Sequence, residues 1–226
     1  GVIDMPKAST REEHRERLLR KRLPWIRLHS FNNFKVSTLT KQMGVSKVTF
    51  YKYFDDVEDL INAIVLSLTQ FITSETIVAA PMFEDYVVQF NHSLITTFEL
   101  ASFISAKFQT DLAKVYPAAS QRLTQAIQQR EQKLLMFYTV GKQLGFIDAT
   151  NLKLVLNKDR LMIPHLVNIN LNQEQSTIHQ LIRDYYGMTV RELFTSSQQD
   201  RIVVSDFEKL NAQLSAKITL NFRQLK

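Results

Sequence analysis

Within Lys47-Val48-Thr49-Phe50-Tyr51-Lys52-Tyr53-Phe54, helical spacing sorts the side chains into two sets. Phe50 and Phe54 stand four residues apart, so on an α-helix they share one face and can be buried there, while Lys47, Val48, Thr49, Tyr51 and Lys52 fall largely on the other. Just upstream, Val36, Leu39 and Met43 recur over two helical turns, Gly44 supplies the left-handed residue that closes a helix, and Ser46 is a natural N-cap for the next. Two short helices joined by a tight glycine-containing turn are the helix-turn-helix signature, and the polar, small face of the second helix suits the major groove of a duplex.

The charge distribution agrees. The chain carries a formal +6, yet residues 1–54 alone hold twelve Lys and Arg against four acids, a net +8, leaving −2 for the rest. A basic lobe joined to a nearly neutral one is the electrostatic footprint of a nucleic-acid reader with a second module, because each phosphate met by Lys or Arg releases condensed counterions. Part of this charge, Arg20 to Arg22 above all, also reads as a solvated helix face.

Other chemistries find no support. Without cysteine there is no disulfide framework, thiolate metal site or thiol nucleophile. His-Glu-x-x-His, Gly-x-Ser-x-Gly and Gly-x-Gly-x-x-Gly are missing, and Gly141-Lys142-Gln143-Leu144-Gly145 is too short for a phosphate loop. No catalytic residue, metal ligand or cofactor is expected, and the chain reads as a non-enzyme. Leu60 to Ser74, the longest uncharged run, falls short of the roughly 18–20 apolar residues that a membrane span needs, and Gly1 to Ser9 does not read as a secretion signal. A cytoplasmic protein without membrane contact is the expectation.

These residues require elements that hold them. With 45% hydrophobic residues, five glycines and five prolines in 226, a packed helical fold is favoured over a turn-rich β fold. A first helix is expected over about Thr10 to His29, with a kink or a restart at Pro24. Asp55 or Asp56 caps a longer fourth helix to about Thr76, its stripe formed by Val57, Leu60, Ile61, Ile64, Val65, Leu68 and Ile72. Six further helices are expected: about Phe83–Leu100, Ser102–Tyr116, Ala118–Leu144, Thr150–Asn168, Gln173–Phe194 and Gln199–Leu225. Pro81, Pro117, Gly141 with Gly145, Asn168 to Asn172, and Ser196-Ser197 punctuate them.

The nineteen residues Val36 to Phe54, followed by Asp56-Val57-Glu58-Asp59-Leu60, resemble the tetracycline-repressor (TetR) family of bacterial transcriptional regulators. The shared pattern is a helix-turn-helix with Gly-Val-Ser, then threonine, then tyrosine followed two residues on by Tyr-Phe, an acidic turn and a leucine. Departures are Ser30 for a usual glycine, which moves the left-handed position to Asn32 or Asn33, Phe34-Lys35 for a Thr-Thr pair, Lys21 and Arg22 for small alanines, Pro24, and Val48 for a usual glycine. The resemblance implies an all-α protein. A three-helix DNA-binding domain, residues 9–55, would be joined by the long fourth helix to a helical effector-binding and dimerisation domain, residues 56–226.

By the same resemblance, Ser37 or Thr38 contacts a phosphate, and Tyr51 and Lys52 contact the DNA backbone. Lys47, Val48 and Thr49 face the groove floor, where a lysine donates to guanine and the Val48 or Thr49 methyls pack on a thymine methyl. Arg11 and Arg15 could add nonspecific or minor-groove contacts. The partners implied are a palindromic double-stranded operator, a second copy of the chain, paired through Thr150–Asn168 and Gln173–Phe194, and a small hydrophobic or aromatic effector. An effector pocket is expected among Tyr86, Phe90, Phe98, Phe103, Phe108, Phe137 and Tyr138, with Tyr116 nearby and His92 or His165 as orienting groups, although the same rings also read as core filling. A regulator working without a small effector and an all-helical enzyme are the other readings.

Overall fold

The computed structural model describes residues 8–29, 31, 34–148 and 151–223, of which 8–12, 20–24 and 223 by their backbone alone. Among the described residues the secondary structure is helical: α1 (Ala8–Leu28), α2 (Val36–Met43), α3 (Lys47–Tyr53), α4 (Val57–Ser74), α5 (Phe83–Phe103), α6 (Ala106–Val115), α7 (Pro117–Gln143), α8 (Leu152–Asn170), α9 (Gln175–Leu193), α10 (Ser196–Gln199) and α11 (Val204–Arg223). An isolated antiparallel bridge joins Ile147 and Phe194.

Most helix ends follow the sequence expectation closely. α1 runs unbroken through Pro24, so the expected restart does not occur; a proline in helical φ gives up one backbone hydrogen bond while the flanking turns continue. The left-handed position expected at Asn32 or Asn33 lies outside the described residues. α5 extends through Ser102, which was assigned to the next helix, because Ser102 is buried and its hydroxyl donates to the Glu99 carbonyl at 2.6 Å, inside the helix's last turn. The last expected helix, from about Gln199, begins later, α11 starting at Val204, and Ser196-Ser197, expected as a break, open the short α10 instead.

The chain divides into two compact units. The first comprises residues up to 74 together with 106–126, and the second 75–105 together with 127–226. These packing units are cut differently from the functional domains expected on either side of residue 55, since α4, α6 and the first turns of α7 pack in one unit with α1, α2 and α3. The first unit is built on Leu39, Met43, Phe50, Phe54, Leu60, Ile61, Ile64, Val65 and Leu68, all buried. Phe31, just after α1, packs against α6 and the residue that follows it, meeting Phe108 edge-on at 5.3 Å and Tyr116 at 6.0 Å. In the second unit α5 packs on α8 and α11, and α9 packs on α11, around a continuous aromatic and aliphatic core.

Candidate nucleic-acid interface

The geometry of the tight turn starts from Gly44, at φ 66 and ψ 34, a left-handed conformation in which a Cβ would be strained. Its amide donates to Lys41 O at 3.3 Å and the Val45 amide to Thr40 O at 3.0 Å, the paired bonds that close α2 and turn the chain. Two residues on, the Ser46 hydroxyl accepts from the Thr49 amide at 3.0 Å and starts α3.

Phe50 and Phe54 then set the rotation of α3. Both are fully buried with ring centroids 5.4 Å apart, so the opposite face must point to solvent. Lys47, Val48, Tyr51 and Lys52 lie on that face; Val48 is 82% exposed and Tyr51 55%. Thr49 is half-buried, and its hydroxyl lies 2.9 Å from that of Ser46. Ser37 and Thr38 are exposed in the first turn of α2, beside exposed Lys35. Thr40, in contrast, is buried and donates its hydroxyl to the Ser37 carbonyl at 3.2 Å. All seven residues named from the sequence thus lie on α2 or α3, and Thr49 is the one drawn toward the protein.

The basic residues of α1 divide. Arg15 donates to Asp59 at 2.9 Å and lies over the Phe54 ring at 5.2 Å, so in this structure its charge is paired inside the first unit. Arg27 is buried, and desolvation pushes its guanidinium down to about 10. Arg11 belongs to the residues whose side chains are not described. Asp59 was not singled out from sequence. It links Arg15 of α1 to α4 and accepts from the Asp55 amide at 3.2 Å, while Asp56 caps α4 through the Asp59 amide at 2.7 Å. Its sequence signals were its place in the stretch Asp56 to Leu60 and in the first turn of α4.

The residues expected to line an effector pocket are only partly brought together. Tyr86 stacks on Phe137 with centroids 4.2 Å apart and planes within 4°, and Tyr138 abuts Phe137 at 5.6 Å. Phe90 meets Phe194 edge-on at 5.1 Å, and Phe98 meets Tyr185 at 5.5 Å. Phe103 is half-buried at the end of α5, Phe108 and Tyr116 belong to the first unit, and His92 and His165 are exposed. His92 faces solvent because α5 buries positions 90, 91, 94, 95 and 98, the face opposite to it.

Two buried polar pairs in this second unit had no signal in the sequence. Arg130 donates to both carboxylate oxygens of Glu75 and to the Ser93 carbonyl. Tyr185 donates to Asp159 at 2.5 Å; burial raises the Asp159 carboxyl above the ordinary range, opposed by that hydrogen bond and by Lys158. Burial likewise raises the Tyr86, Tyr138 and Tyr185 phenols. Among the described residues no group of three or more His, Asp or Glu is arranged to hold a metal ion, and no helix is long and apolar enough to cross a membrane.

An all-α fold with a helix-turn-helix near its N-terminal end is the class these observations define. No family model and no curated protein matches the sequence. The fold is that of the ketosteroid transcriptional regulator KstR2 of Mycobacterium tuberculosis, with a TM-score of 0.59 at 14% identity, covering 81% of this chain and 96% of that one. More distant are a Rhodococcus sp. protein described as a TetR-family transcriptional regulator (TM-score 0.47, 13% identity, 92% and 99% covered) and Escherichia coli NemR in its reduced form (0.43, 16%, 81% and 99%). The fold comparison rests on the first of the three.

Proposed function

We propose that this protein is a TetR-family transcriptional regulator, a homodimer that binds a palindromic operator through α2 and α3. The carrying observation is the display of Lys47, Val48, Tyr51 and Lys52 on the solvent face of a helix whose other face is anchored by Phe50 and Phe54. Ser37 and Thr38 would hold the phosphate backbone with Tyr51 and Lys52, fixing register, while Lys47 and Val48 read base edges. Residues 9–55 would form the reading domain, and 56–226 the effector-binding and dimerisation domain.

The dimer would form on α8, where Leu154, Leu161, Met162 and Ile169 are large apolar side chains left exposed. The regulator is read as a repressor released by a small apolar effector. The aromatic seam of α5 and α7 supports that chemistry, as does the ketosteroid in the name of the similar M. tuberculosis regulator. Entry would require Tyr86 and Phe137 to part, with Phe90, Phe98 and Tyr138 as the surrounding wall. To invert operator occupancy from 99:1 to 1:99, an effector must favour the non-binding state by about 5.5 kcal/mol.

The test is fluorescence anisotropy on upstream DNA from the protein's own locus across a salt series. A specific complex whose log affinity falls linearly with log salt, and Lys47→Ala weakening it by about 1–3 kcal/mol, support the reading. Absence of any salt-dependent binding rejects it.

A further inference from the structure

We infer that Val48 is a methyl sensor: it recognises the 5-methyl group of one pyrimidine in each operator half-site, so that thymine and 5-methylcytosine are accepted there and uracil and cytosine are disfavoured. The inference rests on the DNA-binding reading above and narrows it to one residue and one chemical group.

Three observations carry it. Val48 is 82% exposed, the highest value among the exposed large hydrophobic residues of the described chain, and it sits between Lys47 and Thr49 on the face opposite buried Phe50. An isopropyl group held in water on a short, capped helix contributes nothing to the protein's own core, and its burial against another apolar group is favourable. Second, Thr49, the other methyl-bearing residue of the helix, is half-buried, and both its amide and its hydroxyl engage Ser46. Its hydroxyl is thus held at the start of α3 and its side chain is less exposed than that of Val48, so the isopropyl group of Val48 is the larger apolar contact the helix offers. Third, the exposed neighbours Lys47, Tyr51 and Lys52, with Lys35 and Lys41 on or beside α2, are cationic or hydroxylic, complementary to a polyanion and unlike the rim of an apolar protein contact.

In the major groove the one apolar feature of a base edge is the C5 methyl of thymine. A β-branched side chain has no donor or acceptor with which to read anything else there. The geometry thus makes recognition at this position independent of Watson–Crick identity and dependent on a single methyl group, which 5-methylcytosine also carries.

The experiment begins by selecting bound sequences from a random duplex library with the full-length protein. Each thymine of the selected operator is then replaced singly by deoxyuridine, and binding of the wild type and Val48→Ala is compared. One thymine per half-site is expected to show about a fourfold loss on removal of its methyl, the factor that burial of one such group is worth. Val48→Ala is expected to bind the thymine operator about that much more weakly and to lose the uracil penalty at that position alone. Replacing that T·A pair by C·G and then methylating the cytosine is expected to recover part of the loss in the wild type and none in the variant. Failure to select any sequence overturns the regulator reading, and this inference with it. A selected operator with no thymine sensitive to uracil, or one whose penalty persists undiminished in Val48→Ala, overturns this inference alone and leaves DNA binding standing. Circular dichroism melts of the variant confirm that the substitution at this exposed site leaves the fold intact.

Discussion

The Arg130 guanidinium straddles the Glu75 carboxylate, with Nη2 3.2 Å from Oε1 and also 3.0 Å from the Ser93 carbonyl. Both side chains are about nine-tenths buried, and they join residues 55 positions apart, the first just beyond α4 and the second in α7. Removing one partner of such a pair leaves the other charge buried and unmatched. Arg130→Ala should therefore cost about 3–5 kcal/mol in urea unfolding, whereas the double change Arg130→Met with Glu75→Leu should cost much less.

Asp159 sets a pH dependence of the opposite sense to the usual carboxylate. Burial raises its folded-state pKa above the ordinary 3.8, while the Tyr185 hydrogen bond and Lys158 oppose this and Glu192 adds to it; Tyr138 of α7 also lies within its field. The folded state holds the proton more tightly than the unfolded one, so this contribution to stability is complete below the unfolded value and is lost as pH rises through the folded value. Asp159→Asn keeps an oxygen acceptor for Tyr185 and removes the charge. Unfolding free energies measured as pH rises from 4 should show the Asn variant gaining on the wild type until the folded-state carboxyl has ionised. A gap that narrows with pH would contradict the assignment.

Gly141 is required by its neighbour. A Cβ there would stand 2.2 Å from the Tyr86 hydroxyl and 2.5 Å from its ring carbon, and that ring is held flat on Phe137. Gly141→Ala should cost about 1–3 kcal/mol by overpacking and should diminish the near-ultraviolet circular dichroism of the stacked pair. An unchanged melting temperature would show that the Tyr86 ring moves freely.

Lys52 is exposed on α3 beside Tyr53, its Nζ 5.7 Å from the ring centroid. As a phosphate contact, it should weaken all DNA sequences about equally when changed to Ala, and the slope of log affinity against log salt should drop by about 1. Loss of discrimination without a change in slope would place it on a base instead.

Leu161 is exposed midway along α8, one of four such apolar residues on that helix. Leu161→Glu puts a charge where a second copy would bury a side chain. Sedimentation velocity should show the wild type at the dimer mass and the variant at the monomer mass. A monomeric wild type would remove α8 as the pairing surface.

The parts of this protein legible in the sequence are those whose signals are local. Gly44, Ser46, Phe50 and Phe54 lie within eleven residues, and their conformational and burial preferences act through hydrogen bonds and contacts one turn away; the turn, the capped α3 and its displayed face follow. The long helices were equally visible, since a period of 3.6 is carried by neighbours. Periodicity also says which residues are apolar, so the burial of Tyr86, Phe90, Phe98 and Phe137 was foreshadowed, though not which ring meets which.

Only the tertiary structure decided the assignments that depend on distant partners. Arg15 appeared as one more cation of α1 until Asp59, 44 residues on, was found to hold it. Phe108, expected among the effector-pocket rings, packs instead on Phe31 in the first unit. Arg130 with Glu75 and Asp159 with Tyr185 are isolated charges and phenols along the chain, and become buried pairs when helices pack. The physical reason is one of range: backbone propensity and amphipathic spacing are fixed within a few residues, whereas the partner of a buried charge is chosen by where whole helices come to lie, and no local pattern records that choice.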